Sequence, residues 1–67
     1  MEEGTIHELK AAMREEYEMQ LPVGMATDRV INAALVGGLI KTREVDAARR
    51  LVGNYFQYLW DKDNPNY

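Results

Sequence analysis

Residues 30–40, VINAALVGGLI, are the one run in this chain apolar enough to organise a core, and two consecutive glycines stand inside it. A fold for this sequence must bury the run and give Gly37 and Gly38 a role. Glycine pairs of this kind occur in membrane segments, phosphate-cradling loops, helix ends and close helix crossings. The run has eleven residues, one of them Asn32, whereas a bilayer requires roughly 20 apolar residues. The segment GGLIKT ends in Lys41-Thr42, but a phosphate loop needs a glycine directly before its lysine, four residues between its glycines and a preceding strand. None of these holds.

Two readings are left. A left-handed cap at Gly37 ends the helix at Val36 and strands Leu39 and Ile40 in a loop. A continuous helix costs roughly 2 kcal/mol for two glycines in place of alanines. It keeps the rows Ile31–Leu35–Leu39 and Val36–Ile40. It also sets Ala33/Gly37 and Ala34/Gly38 as two small-residue pairs against which a neighbouring helix can press. The continuous helix is the expectation.

Around this run the chain reads as all-α, a three-helix chain over about 6–19, 28–41 and 43–60, forming one domain across 1–67 with a short tail at 61–67. Thr5-Ile6-His7-Glu8 matches a capping box. The narrow stripe Ile6, Leu9, Met13 and Tyr17 then recurs at spacings of three and four, with glutamates opposite. Pro22 disfavours helix at Leu21, so LPVGMA reads as a connector. Thr27 is a candidate N-cap with Asp28 in the first turn. Lys41 places a cation at the C-terminal end of the second helix, and Thr42 caps the third, with Glu44 in its first turn. Asn64-Pro65 ends the third helix in a turn. Asn64-Pro65-Asn66-Tyr67 fits an NPxY pattern, but directly after a helix it reads as a stop.

A chain of 67 residues buries only about 60% of its unfolded surface, and the absence of cysteine removes disulfides and thiolate metal sites. The second helix is apolar on every side. On the third, Val45, Ala48, Leu51, Val52, Tyr55, Phe56, Tyr58, Leu59 and Trp60 fill an arc of about 200°. That is more apolar surface than one copy can hide, which predicts an intertwined or helix-packed homodimer. Its expected interface is Ala33, Ala34, Gly37, Gly38, Val52, Phe56, Leu59 and Trp60.

Net charge is −3, divided as −4 over residues 1–20, +2 over 21–60 and −1 over the tail. The acidic first helix and the mildly basic remainder should attract each other within the fold or across a dimer. An acidic chain lacks the usual footprint of a nucleic-acid binder. The first residues carry no positively charged leader with an apolar core, and a cytoplasmic location is expected.

No serine or cysteine is present, and the three threonines read as caps. His7 is a lone histidine on the polar side of the first helix, and Glu15, Glu16 and Glu18 read as its wet face. No catalytic residue, metal site or cofactor is implied. Arg49 falls within the apolar arc of the third helix, between Val45, Val52 and Phe56, where a charge needs a partner. An ion pair with a glutamate of the first helix or of a neighbouring copy is the favoured account, and an acidic ligand the other.

Arg43, Arg50, Asn54 and Gln57 share the outer face of the third helix and are residue types that read base edges. Asp46 and Asp61 on the same face, and the lack of lysines for phosphates, disfavour DNA; Asp46 can pair with Arg50 at i+4. Tyr55, Tyr58 and Trp60, near Arg49 and Arg50, could stack on an anionic or nucleotide ligand between subunits. The expectation is a small non-enzymatic helical protein, of the accessory kind found in bacteria and phage. It self-associates and binds another protein as an inhibitor, adaptor or regulatory subunit. A dimeric nucleic-acid-binding regulator and an anion-binding oligomer are the alternatives.

Overall fold

A computed structural model describes residues 1–64. Over these the chain is all-α: α1 spans Glu3–Glu18, α2 Val23–Val36 and α3 Val45–Asp63, with a single 3₁₀ turn over Thr42–Glu44 leading into α3. The helices run up, down and up, and α3 packs against both of the others. One end of the bundle gathers Tyr17, Leu21 and Trp60. The other gathers Thr5, Leu39 and Arg43.

Each helix supplies the core with a row at i, i+4 spacing: Leu9 and Met13 from α1; Ala26, Val30 and Ala34 from α2; Ala48, Val52 and Phe56 from α3. Ile31 and Ile40 complete it. Leu9, Met13, Ile31 and Val52 are almost wholly excluded from solvent, and burial of each such side chain stabilises the fold by roughly 1.5–3 kcal/mol. The alanines at 26, 34 and 48 leave room for the helices to approach.

The double glycine ends α2; the helix does not continue to residue 41. Gly37 is still right-handed, with φ −79°, and Gly38 turns left-handed at φ 77°. The Leu39 amide then donates to the Ala34 carbonyl at 2.8 Å and the Gly38 amide to Leu35 at 3.2 Å. These two bonds make a Schellman end, in which the left-handed position goes to glycine because a Cβ is disfavoured there. The left-handed residue is therefore Gly38, not Gly37. The turn does not strand the apolar residues beyond it: Ile40 is 3% exposed and Leu39 packs half-buried against the core. A straight helix would have carried both past the end of the bundle.

The other helix starts differ from expectation for related reasons. α1 begins at Glu3, where the Ile6 amide reaches the Glu2 carbonyl at 3.1 Å, so Thr5 lies inside the first turn and caps nothing. α2 begins at Val23 behind Pro22, whose φ of −57° suits a helix start. The residues read as a connector form its first turn. Ala26 and Thr27 are both buried, and their burial holds that extra turn in place.

Asp28, Arg29 and Asn32 consequently fall in mid-helix on the exposed side of α2, which is not apolar all round. At the third helix Lys41, not Thr42, takes the cap position: its amide donates to Glu44 Oε1 at 2.9 Å while the Glu44 amide donates to the Lys41 carbonyl at 2.8 Å. α3 runs three residues beyond the expected Trp60, to Asp63. Asn64 closes it, with its side-chain Nδ2 donating to the Trp60 carbonyl at 3.1 Å. The remainder of the NPxY pattern, at 65–67, lies outside the described residues.

Candidate functional site

The α1–α2 junction is short because the chain reverses at a single residue. Gln20 has φ 58°, and its amide donates to the Tyr17 carbonyl at 2.9 Å. A left-handed conformation costs a residue with a Cβ roughly 1–2 kcal/mol. The reversal places Met19, Leu21 and Val23 at one end of the bundle, where the extra turn of α3 brings Trp60 and Asp63 alongside.

Two shallow depressions share Leu21 and Trp60. One, of about 600 Å³, is lined by Tyr17, Glu18, Gln20, Leu21, Trp60, Asp63 and Asn64. The other, of about 340 Å³, is lined by Leu21, Pro22, Val23, Phe56, Gln57 and Trp60. Trp60 forms the ridge between them at 48% exposure, flanked by Val23 at 47%. Met19, beside the turn, is also exposed.

Tyr17 ties the end together. Its ring meets Phe56 edge-on, with centroids 5.4 Å apart, and its hydroxyl donates to Asp63 Oδ2 at 2.8 Å. That hydrogen bond, with smaller contributions from burial and the carboxylate charge, raises the Tyr17 hydroxyl above the usual tyrosine range.

A second aromatic surface lies between α1 and α3. Tyr55 and Tyr58 stack with centroids 5.8 Å apart. Lys10 Nζ sits 5.4 Å from the Tyr55 centroid, and Arg14 Nη1 donates to the Tyr55 hydroxyl at 3.3 Å. Leu51 and Asn54 complete this shelf. Its cations come from α1, not from Arg49 and Arg50. The i, i+4 spacing of Lys10 and Arg14 was the signal that could have placed them.

The remaining candidates are scattered. Arg49 is half-exposed and pairs with Asp28 of α2, so it is neither buried in the apolar arc nor matched to a glutamate of α1. Its pairing stays within the chain. The attraction between the acidic first helix and the rest takes the form of Arg29 Nε on Glu16 Oε2 at 3.0 Å. Arg43 lies at the opposite end beside Leu39. Arg50 is exposed, and no Asp46–Arg50 pair forms among the described residues. Gln57 donates to Asp61 Oδ1 at 3.0 Å while lining the Trp60 groove.

Of the expected interface residues, Ala34, Val52 and Phe56 are in the chain's own core. Ala33, Gly37 and Gly38 are exposed at a helix end, Leu59 is half-buried and Trp60 is exposed. Leu21 and Val23 were missed because their segment reads as a loop, and Met19 because it closes the expected first helix outside its apolar stripe. His7 is exposed. No group of acidic, histidine or cysteine side chains among the described residues is arranged to hold a metal, and no helix among them is long and apolar enough to cross a membrane.

Comparison with known proteins, by family model, by curated sequence and by solved structure, finds no match to this chain.

Proposed function

We propose that this protein works by binding and not by catalysis, docking another protein at the Trp60 end as an inhibitor, adaptor or regulatory subunit. The observation that carries the reading is Trp60 standing half-exposed between two depressions, with Met19 and Val23 exposed beside it. A tryptophan ridge among exposed apolar neighbours is the kind of surface that dominates binding energy at protein interfaces. In this reading the protein acts in the cytoplasm.

The test is a photo-crosslinking residue at the exposed position 19, beside Trp60, compared with one at the exposed position 7 on the outer side of α1. Covalent capture of a discrete protein from position 19 and not from position 7 is the expected outcome. Equal capture from both would refute docking at this end.

Self-association is a second reading, favoured by a different surface. Val36 is 91% exposed at the end of α2, with Ala33 and Gly37 exposed next to it. Sedimentation equilibrium of the wild type and of Val36→Glu separates the two readings, since only a dimer through α2 loses mass in the variant. Nucleic-acid binding has less support: Gln57 is engaged by Asp61, and an aspartate on that face repels phosphate.

A further inference from the structure

We propose that the Trp60 end takes a basic, apolar-anchored segment of a partner protein, its lysine or arginine seated against Glu18 and Asp63 while an apolar neighbour fills the groove between Val23 and Trp60. This rests on the docking reading above and assigns the chemistry of the partner.

The argument is charge complementarity. Glu18 and Asp63 line the larger depression, and no lysine or arginine lines either depression among the described residues. The nearby cations are engaged or turned elsewhere: Arg29 is on Glu16, Arg14 reaches Tyr55, and Lys62 is exposed outside both linings. α1 and α3 both present their C-termini at this end and α2 its N-terminus, so two negative helix poles outweigh one positive pole. An incoming cation also meets Trp60 in the lining of the larger depression, and a tryptophan ring attracts cations through its quadrupole. The smaller depression offers Pro22, Val23, Phe56 and Trp60 and no acidic side chain, so the apolar anchor and the cation have separate seats. An acidic partner would meet repulsion on the same rim.

Trp60 is the sole tryptophan, so its emission reports occupancy directly. Three short helix-forming peptides with one leucine pattern and lysine, glutamine or glutamate at the polar positions are titrated into the full chain. The lysine peptide is expected to shift Trp60 emission saturably, with the glutamate peptide weaker by on the order of tenfold or more. Raising the ionic strength, or Glu18→Gln, should weaken the lysine peptide alone; Glu18 makes no contact the fold depends on, so this variant tests charge where Asp63→Asn would also disturb Tyr17. Equal binding of all three peptides overturns the charge proposal while leaving docking in place. A Trp60 response to none of them overturns the proposal and the docking reading together. An emission shift that tracks protein concentration without peptide overturns it in favour of a second copy as the occupant.

Discussion

At Gly38 and at Gln20 the backbone makes the same left-handed turn after the last turn of a helix, with φ of 77° and 58°. At Gly38 no Cβ opposes the turn, two amides satisfy the carbonyls of α2, and Leu39 and Ile40 re-enter the core. At Gln20 the conformation is borne by a residue with a Cβ; Leu21 beyond it packs half-buried against the core, while Met19 and Val23 stay exposed near Trp60. The first end has a relaxed backbone and paired carbonyls and returns Leu39 and Ile40 to the core, while Val36 stays outside. The second combines a disfavoured backbone with exposed apolar side chains, and such departures from local rules concentrate where a surface has work other than folding.

The contrast can be broken or sharpened by mutation. The largest effect is expected for Ile40→Ala, which removes a buried side chain held by the Gly38 turn and should lower unfolding free energy by about 2–5 kcal/mol in urea denaturation. Gly38→Val should cost roughly 1–2 kcal/mol or more through the left-handed backbone alone, since open space surrounds that position. Gly37→Ala is the internal comparison: its φ is ordinary, and the added Cβ meets only the Ala33 carbonyl oxygen at 3.2 Å, so it should be the milder change.

At the other junction the sign reverses. Gln20→Gly should raise stability by about 1 kcal/mol, seen as a higher urea midpoint with unchanged helicity. If it destabilises instead, the Gln20 side chain contributes something the backbone argument omits.

The smallest effect concerns pH. Because the Tyr17 hydroxyl is raised by its bond to Asp63, the folded state holds this proton more tightly than the unfolded chain does. The associated stability is fully present below about pH 10 and is lost as pH rises through the folded-state value. Above about pH 10 the decline in melting temperature should be shallower in Tyr17→Phe than in the wild type.

The all-α character, three helices and the participation of Leu9, Met13, Val30, Ile31, Val52 and Phe56 in apolar stripes were legible because periodicity is a local property. The helix starts were not. Pro22-Val23-Gly24-Met25 has the composition of a loop, yet Ala26 and Thr27 are buried, and that burial outweighs weak local preference. The Trp60 surface was legible only in the α3 residues Phe56, Gln57 and Trp60, because Leu21 and Val23 belong to that same loop-like segment. Tyr55 and Tyr58 were expected beside Trp60, but the shelf they form holds Leu51 and Asn54 instead, and no spacing rule within α3 could supply its cations, Lys10 and Arg14, which come from another helix.

The sequence by itself determined the class of fold and the three-fold division of the chain. It did so through hydrophobic period, proline and glycine, each of which acts over a few residues. Only the tertiary structure decided that Gly38 and not Gly37 turns left-handed, that Arg49 meets Asp28, and that Trp60 stands between two depressions with Glu18 and Asp63 on the rim of one. Those outcomes depend on which faces of separate helices meet, and that is settled by burying Ile40, Ala26 and Phe56 together in one core.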